Sequence, residues 1–224
     1  MTYQIAIDGP AASGKSTVAK LVASQLGGYY VNTGEMYRTI AWAALREGID
    51  PETQESLLAE KLVGWQMECR PDGQGLAVWF NGEKVPGAEL RIPQVSAIVS
   101  QVARIPAVRE YMLQRQRDCR NLPLIVMEGR DIGTVILPDA TCKFFVTASP
   151  MERARRRFAQ KEEIAPGETL EKLAAEIAER DRIDSTREIA PLKPAEDSLT
   201  IMTDGMTPQQ VADTIIRTFR QRTS

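Results

Sequence analysis

One short segment near the start of the chain combines glycine, lysine and hydroxyl groups at a spacing suited to phosphate chemistry. Residues 9–17 read GPAASGKST and directly follow the apolar stretch YQIAID. The segment fits G-x-x-x-x-G-K-S, in which backbone N–H groups surround phosphate oxygens and the lysine adds a cation. The serine hydroxyl lies where a magnesium ion would bind. The spacing therefore predicts a site for a nucleoside triphosphate, with Lys15 exposed at the junction of loop and helix.

The sequence on either side of this loop favours a phosphate site over the alternative, a glycine-rich turn with an accidental Lys-Ser pair. Gln4–Asp8 reads as a short buried strand and Lys15–Leu26 as an amphipathic helix. A helix that begins at the loop directs the positive end of its dipole at the same phosphates. The residues predicted to bind the triphosphate are Gly9, Pro10, Ala11, Ala12, Ser13, Gly14, Lys15, Ser16 and Thr17.

The segment TGEMYR at residues 33–38 indicates a second phosphate site. Arg38 could hold a phosphate through two parallel hydrogen bonds, and the hydroxyl groups of Thr33 and Tyr37 could assist it. The alternative is an ordinary helix start with Thr33 as its N-cap. Both explanations are open at this point.

A run of basic residues, RARRR at 153–157, indicates a third anionic contact. The alternative is a solvated helix face, which is the usual explanation of a charge run. Arginines crowded within about one and a half helical turns repel one another, and a polyphosphate partner would offset that repulsion. Phosphoryl transfer depends chiefly on positioning and on neutralising charge, so arginine and lysine suffice for it.

The composition excludes several other kinds of site. The 224 residues include no histidine, which excludes Ser-His-Asp and Cys-His nucleophiles and HExxH metal sites. Cys69, Cys119 and Cys142 form no CxxC pair, so we expect reduced thiols and a cytoplasmic protein rather than disulfides or zinc. The net charge of -2 argues against a nucleic-acid surface. No apolar run is long enough to span a membrane, and the pattern of a secretory signal is lacking.

Strands and helices alternate at both ends of the chain, and these elements must position the residues above. Such alternation predicts a parallel sheet with right-handed crossovers. The expected strands are 4–8, 29–32, 124–127, 143–147 and 199–203. The expected helices are 15–26, 36–46, 151–161, 170–183 and 208–220, the last with Thr207 as its N-cap.

The middle of the chain departs from this alternation. Short apolar stretches at 65–69, 76–80 and 83–85 are separated by PDGQG and NG, which are turn sequences of the hairpin type. They predict a small antiparallel insert. Two helices, 94–103 and 107–120, are expected to follow and to be divided by Pro106.

Three classes of protein use a phosphate loop of this kind. A GTPase switch would carry an N-K-x-D motif, which the sequence lacks. A motor or transport ATPase would ordinarily be larger. A small-molecule kinase fits the length, because the chain offers both a second anion site and a basic helix that could act as a lid.

Five further motifs occur in a fixed order after the phosphate loop: TGEMYR, RIPQVSAIVSQVARIPAVR, EGRDIGT, RARRR and ERDRIDSTRE. In this combination the chain closely resembles the bacterial cytidylate kinases over nearly its whole length. The resemblance implies an α/β P-loop nucleoside monophosphate kinase fold, with a five-stranded parallel sheet flanked by helices, a small antiparallel insert and a helical lid. It also implies a single kinase domain over residues 1–224. Within it, the core would be 1–32, 121–150 and 190–224, the monophosphate-binding region 33–120 and the lid 151–189.

The resemblance also implies roles for individual residues. Lys15 and the lid arginines Arg153, Arg156 and Arg157 would stabilise the transferred phosphoryl group. Magnesium would bind Ser16 and, through water, Glu128. The acceptor phosphate would contact Thr33, Arg38, Arg130 and Arg187. The ribose would contact Arg180 and Asp184. The cytosine would contact Ser100, Arg109 and Asp131.

Alternatives exist for several of these residues. Arg180 and Asp184 are spaced as an i, i+4 pair and could form a surface salt bridge of little consequence. Ser100 could be a solvated helix residue with no role in binding, and Asp131 could merely pair with Arg130 beside it.

The activity implied is transfer of the γ-phosphoryl group of ATP to CMP or dCMP, with magnesium and without a general base. We expect a monomer that closes on both nucleotides and that binds neither nucleic acid nor membrane. A kinase for another pyrimidine monophosphate and a module that uses ATP only as a switch are the alternatives.

Overall fold

A sheet that is parallel at its centre runs through the computed structural model, which describes residues 2–159 and 169–223. Its strands are β1 (Tyr3–Asp8), β2 (Tyr29–Asn32), β3 (Met67–Asp72), β4 (Gly75–Phe80), β5 (Glu83–Lys84), β6 (Leu124–Gly129), β7 (Cys142–Thr147) and β8 (Leu199–Met202). The order is β3-β4-β2-β6-β1-β7-β8, with β5 paired to β4. The pairs between β2, β6, β1, β7 and β8 are all parallel, which confirms the expected five-stranded core.

Helices connect these strands. They are α1 (Lys15–Leu26), α2 (Thr33–Arg46), α3 (Glu55–Leu62), α4 (Pro93–Arg104), α5 (Pro106–Asp118), α6 (Pro150–Ala159), α7 (Leu170–Thr186) and α8 (Pro208–Thr223). A π-helical turn follows β6 at Ile132–Ile136, and short 3-10 turns lie at Glu89–Arg91 and Cys119–Asn121. Within the described residues, no helix combines the length and apolarity needed to cross a membrane.

Several helix boundaries differ from the sequence-based expectation. Helix α2 begins at Thr33 rather than 36, because Asn32 accepts a hydrogen bond from the Glu35 amide and caps it. The expected end of the basic helix at 160 and 161 lies outside the described residues. Helix α3 was not anticipated. The cap at Thr207 is confirmed, since its hydroxyl accepts from the Gln210 amide at 3.3 Å.

The insert is part of the main sheet rather than a separate hairpin. Strands β3 and β4 pair antiparallel out to Asp72 and Gly75, so PDGQG is mostly strand, with a tight turn at Gly73 (φ 60°) and Gln74. Gly75 then pairs with Tyr30 of β2 in parallel register. The insert thereby extends the sheet at its β2 side, and it falls within residues 33–120, the monophosphate-binding region proposed from the sequence.

Strand β1 lies at the middle of the sheet, between β6 and β7. Its last residue, Asp8, is in register with Gly129 on one side and Phe145 on the other. Because parallel strands end at one edge, the loop after β1, the start of α2 after β2 and the turn after β6 all meet there. This edge brings together segments that are far apart in the sequence.

Separate apolar clusters stabilise the parts around this edge. One packs α1 and α8 against the sheet, and a second joins α2, α3, α4 and α5 to the insert. The helices α6 and α7 share a much smaller cluster of Ala154, Leu173 and Ile177, with Ala12 of the phosphate loop packed against it. A region with so little buried apolar surface is more easily displaced than the rest.

Candidate active site

The loop between β1 and α1 has a backbone suited to enclosing an anion. Gly9, Ala12 and Gly14 all have positive φ angles, of 152°, 56° and 89°. Gly9 is required by space as well, since a Cβ there would lie 2.0 Å from the carbonyl oxygen of Val146. Ala12 holds a left-handed conformation that is costly for any residue with a side chain. The surroundings must therefore hold this part of the loop in place.

Lys15 is buried, with 5% of its surface exposed, so the expectation that it is exposed was wrong. Its Nζ donates to the carbonyl oxygen of Pro10 at 2.7 Å and to Ser13 Oγ at 3.3 Å. Burial, with a further contribution from the positive charge of Arg130, lowers the pKa of Lys15 to about 7. The side chain is thus a poorly solvated cation at the centre of the loop.

Glu128, at the end of β6, is buried beside the loop. Its carboxylate accepts a hydrogen bond from the hydroxyl of Tyr30, and its backbone carbonyl accepts from Thr33 Oγ1 at 2.8 Å. Thr33 therefore does not cap α2. Burial and the neighbouring Glu128 charge raise the pKa of the Tyr30 phenol, so Tyr30 stays a donor. No sequence motif had singled out Tyr30, although it is a polar aromatic residue in a strand that ends at the site.

Asp8 is a second functional residue that sequence reasoning missed. Its carboxylate accepts from the amides of Ile132 at 2.8 Å and Gly133 at 2.7 Å, and so positions the turn that follows β6. Burial raises the pKa of Asp8 to about 6, although these two hydrogen bonds oppose the shift. An acidic residue at the end of a buried strand, directly before the loop, was the available signal.

Arg38 and Arg130, which the sequence analysis assigns to the acceptor phosphate, both line the cleft. Arg38 Nη1 donates to the carbonyl oxygen of Leu90 at 3.0 Å and to Ser96 Oγ at 2.8 Å. Arg130 Nε donates to Asp184 Oδ2 at 2.8 Å. Both guanidinium groups line the cleft and are held in place by oxygen acceptors.

Asp184 is buried and forms an ion pair with Arg130, so the alternative of an exposed i, i+4 salt bridge is wrong. Its carboxylate faces Arg130, and Arg187 Nη1 lies 3.9 Å from Oδ1. Burial raises the pKa of Asp184, but Arg130 and Arg180 outweigh burial and bring the pKa below its usual value. Burial together with Arg130 lowers the pKa of Arg180 to about 10, so it stays charged at neutral pH. The Nε of Arg180 has no hydrogen-bond acceptor among the described residues.

Asp131 joins two arginines from different elements. Its carboxylate accepts from Arg109 on α5 and, at 3.3 Å, from Arg187 Nη2 at the end of α7. Its hydrogen-bonding partners are these two rather than the adjacent Arg130. The Arg109 guanidinium also lies 5.8 Å from the ring centre of Tyr37, whose hydroxyl has its pKa raised to about 12 by burial. The result is a buried polar cluster with a fixed arrangement of donors and acceptors.

Arg156 and Arg157 extend from α6 toward the phosphate loop. Arg156 donates to the carbonyl oxygen of Ser13 at 3.2 Å and to Oγ1 and the carbonyl oxygen of Thr203 at 2.9 and 2.8 Å. Its Nε also pairs with Glu152. Arg157 is half-buried and lines the same cleft.

Arg153 is buried and contacts the loop from the same helix. It donates to the carbonyl oxygens of Ala148 at 3.1 Å and Ala11 at 3.2 Å, and it forms an ion pair with Asp181 of α7. It does not line the cleft. Its contact with the loop is through the backbone of Ala11.

One cleft of about 2050 Å³ joins these groups. The residues from the sequence analysis that line it are Ala11, Ala12, Ser13, Gly14, Lys15, Ser16, Thr17, Thr33, Tyr37, Arg38, Ser100, Glu128, Arg130, Asp131, Arg156, Arg157, Arg180, Asp184 and Arg187. Gly9, Pro10, Arg109 and Arg153 do not line it, and Arg109 is joined to the cleft through its hydrogen bond to Asp131. Among the described residues, no group of three or more histidine, cysteine, aspartate or glutamate side chains is arranged to hold a metal ion.

Comparison with known proteins gives a consistent result. Residues 5–221 match the family model described as cytidylate kinase. The chain is 48% identical over 221 residues to the cytidylate kinase of Geobacillus thermodenitrificans, covering 97% of this chain and 96% of that protein. It is 46% identical over 223 residues to the bifunctional pantoate ligase/cytidylate kinase of Synechococcus elongatus, covering 97% of this chain and 42% of that protein. A solved structure of an uncharacterized protein from Eubacterium ventriosum shares the fold, at a TM-score of 0.51 and 12% identity over 98% of this chain and 99% of that chain.

Proposed function

Because the chain belongs to the cytidylate kinase family, it phosphorylates CMP or dCMP at the expense of ATP, and we propose which of its residues perform each step. The observation that supports these assignments is the single cleft that holds both a phosphate loop and a cluster of partly buried arginines. Two anionic substrates can be brought together there because each meets its own set of cations.

The donor triphosphate binds the loop at residues 9–17. The N–H groups of the loop and the start of α1 face the phosphates, and Lys15 supplies a cation that is weakly solvated and therefore strongly attracted to them. Magnesium, when bound with ATP, would supply charge neutralisation on the donor phosphates. Ser16 and Glu128 both line the cleft, and we assign the Ser16 hydroxyl as a direct ligand and Glu128 as a ligand through water. The hydroxyl of Tyr30 orients the Glu128 carboxylate.

The acceptor phosphate is held by Arg38, Arg130 and Arg187, with the hydroxyl of Thr33 and that of Tyr37 beside them. These arginines already have oxygen acceptors, so they are oriented toward the cleft at little further cost in side-chain entropy. Arg180 and Asp184 meet the ribose. Arg180 carries a buried Nε without a protein acceptor among the described residues, which suits a group that awaits an oxygen of the substrate.

The cytosine is recognised by Asp131 and Arg109, with Ser100 on α4 beside them. An ionised carboxylate only accepts hydrogen bonds and a guanidinium only donates them. The cytosine amino group therefore suits Asp131, and the ring acceptors suit Arg109. Because Arg109 and Arg187 hold the Asp131 carboxylate, this pattern is fixed.

Transfer requires alignment and charge neutralisation rather than a base, since the attacking phosphate oxygen is already anionic. Lys15, Arg156 and Arg157 face the donor end of the cleft and neutralise the charge that spreads over the transferred group. Arg153 lies on the same helix as Arg156 and Arg157, and it acts on the donor through its hydrogen bond to the backbone of Ala11 in the loop.

We further propose a cytoplasmic monomer that binds neither nucleic acid nor membrane. Supporting this, Cys69, Cys119 and Cys142 are free thiols, and the net charge is -2. Sedimentation of the purified protein measures the oligomeric state directly.

A substrate panel tests the assignment as a whole. The purified protein is incubated with ATP, magnesium and, separately, CMP, dCMP, UMP and AMP, and diphosphate formation is measured. We expect diphosphate chiefly from the cytosine nucleotides. Comparable rates with UMP would contradict the assignment of the base site, and ATP hydrolysis without any diphosphate would indicate a switch rather than a kinase.

A further inference from the structure

In the phosphate loop, both backbone polar groups of Ala11 are hydrogen-bonded to the lid helices α6 and α7. The amide of Ala11 donates to Asp181 Oδ1 at 3.1 Å, and the carbonyl oxygen of Ala11 accepts from Arg153 Nη1 at 3.2 Å. Asp181 Oδ2 in turn pairs with Arg153. Three groups from α6, α7 and the loop thus form a closed ring of hydrogen bonds.

The ring of hydrogen bonds adjoins Ala12, the residue of the loop whose backbone conformation is energetically unfavourable for its type. Ala12, the next residue, has a φ of 56°, and alanine adopts this left-handed conformation only when its surroundings impose it. The N–H groups beyond Ala12 can enclose a phosphate only while the loop keeps this curvature. Ala12 also packs against the small apolar cluster of the lid helices. The lid helices therefore hold the loop by its backbone and by its side chain.

We propose that Asp181 is a positioning residue for the phosphoryl donor, and that it acts with Arg153 by clamping Ala11 so that the loop keeps the shape that binds ATP phosphates. The inference rests on the proposed assignment of the loop to ATP. Asp181 does not line the cleft, so it acts through the loop and not by touching the nucleotide. Its side chain is only 20% exposed, which strengthens its hydrogen bonds relative to those of a solvated carboxylate.

A purely structural role for the same residues predicts something different. If Asp181 and Arg153 only joined α6 to α7, their loss would lower the stability of the lid and affect both substrates alike. A clamp on Ala11 predicts a selective loss of affinity for the donor. The Michaelis constants for the two substrates therefore separate the two roles.

The experiment compares Asp181→Ala, Asp181→Asn, Arg153→Ala and the double variant Asp181→Ala/Arg153→Ala with the wild type. We expect Asp181→Ala to raise KM for ATP about tenfold or more, as for loss of charge-assisted hydrogen bonds, with KM for CMP changed less than about twofold. Asp181→Asn should raise KM for ATP by a smaller factor, because its amide oxygen can still accept a hydrogen bond from the Ala11 amide. The double variant should raise KM for ATP no further than Asp181→Ala does, because the two residues act as one unit.

A second readout does not depend on turnover. The rise in melting temperature that ATP causes in the absence of CMP reports donor binding alone, and it should be reduced in Asp181→Ala. Glu171→Ala removes an exposed acidic residue from the same helix and should leave both readouts unchanged.

Equal changes in KM for ATP and CMP, an unchanged KM for ATP, or additive effects in the double variant would each overturn the proposal. If Asp181→Ala does not fold, Asp181→Asn decides by the same readouts, and failure of both to fold would assign Asp181 to general stability instead. Lys15→Met, measured in parallel, tests the ATP assignment itself. If Lys15→Met binds ATP normally, the loop assignment has failed independently of Asp181.

Discussion

At the scale of single residues, the cleft is a set of buried charges of which most are already paired. Asp131 binds Arg109 and Arg187, and Asp184 binds Arg130. Pairing offsets part of the energetic cost of burying these charges and fixes the orientation of the side chains. Lys15 differs, because its hydrogen bonds go to uncharged oxygens and its pKa is lowered to about 7.

We predict that Lys15→Met removes most of the phosphoryl transfer, since the donor phosphates lose their cation. The variant should also be stabilised relative to the wild type at neutral and lower pH. The pKa of Lys15 falls from 10.5 to about 7 on folding, so between these values the unfolded chain binds more protons. Wild-type stability therefore rises with pH in that window, and the destabilisation by the buried cation is complete only below it.

Steady-state turnover and melting temperatures from about pH 6 to pH 10 check both parts of this prediction. The excess in melting temperature of Lys15→Met over the wild type should shrink as pH rises. Lys193→Met, which removes an exposed lysine, is the control. Near wild-type turnover in Lys15→Met would refute the role of the loop.

Arg38→Ala and Arg130→Ala are each expected to lower kcat/KM for CMP by about ten- to a hundredfold, with a much smaller effect on KM for ATP. The reason is that each removes a charge-assisted contact with the acceptor phosphate. Arg104→Ala, at the exposed end of α4, is the matched control. If both substrates lost affinity equally, the two arginines would be structural.

The preference for cytosine should depend on Asp131. In Asp131→Asn we expect a loss of activity on CMP and a smaller ratio of kcat/KM for CMP over UMP, because an amide can rotate and donate to the uracil O4. The variant also removes the charge partner of Arg109 and leaves Arg187 with Asp184 alone, so some loss of stability will accompany it. The ratio is independent of the amount of folded enzyme, and an unchanged ratio would show that Asp131 does not contact the base.

At the scale of elements, the monophosphate-binding side of the cleft depends on a large apolar cluster, of which Tyr37 and Val99 line the cleft. Helices α2, α4 and α5 present Tyr37, Arg38, Ser100 and Arg109 from one packed unit, and α3 closes its far side. In the described part of the chain, helices α6 and α7 share a small cluster of Ala154, Leu173 and Ile177. We infer that the monophosphate side is the more rigid of the two.

Leu58→Ala in α3 tests the contribution of that cluster. Leu58 is fully buried, so its truncation should lower the free energy of unfolding by about 2–5 kcal/mol. Leu57→Ala, at the adjacent and 36% exposed position, should change it by less than about 1 kcal/mol. Urea unfolding measures both, and kcat below the unfolding transition should stay near that of the wild type. Equal destabilisation by the two variants would show that α3 is not packed as described.

At the scale of the whole molecule, the cleft is larger than a site for one nucleotide. Its volume of about 2050 Å³ exceeds the range of about 300–1,000 Å³ that is usual for a single small ligand. The space accommodates a donor and an acceptor side by side. The membership in the cytidylate kinase family, first indicated by the order of motifs, agrees with this two-substrate cleft.

We predict that the molecule becomes more compact when both nucleotides bind, because water must be excluded from the transferred group. Small-angle scattering with CMP and a non-hydrolysable ATP analogue should give a smaller radius of gyration than either ligand alone. Scattering by Lys15→Met under the same conditions is the control, since it should bind the analogue poorly. An unchanged radius in the wild type would refute closure.

The features that the sequence determined by itself are those set by local physics. A strand, a glycine-rich turn and a helix start at 3–26 follow from residues adjacent in the chain, and so do the alternation of strands with helices and the cap at Thr207. The order of motifs was sufficient for the family. The strand, the turn, the helix start and the cap depend on hydrogen bonds or apolar spacing within a few residues, and a sequence displays such patterns directly.

Only the tertiary structure decided which charges pair, how deeply they are buried and where the insert lies. Asp181 meets Ala11 across a separation of 170 residues, Arg130 meets Asp184 across 54, and β4 joins the sheet beside β2. The burial of Lys15 likewise depends on what packs over the loop rather than on the loop itself. Electrostatic strength depends on distance and on exclusion of water, and both are properties of the packed chain that no local pattern contains.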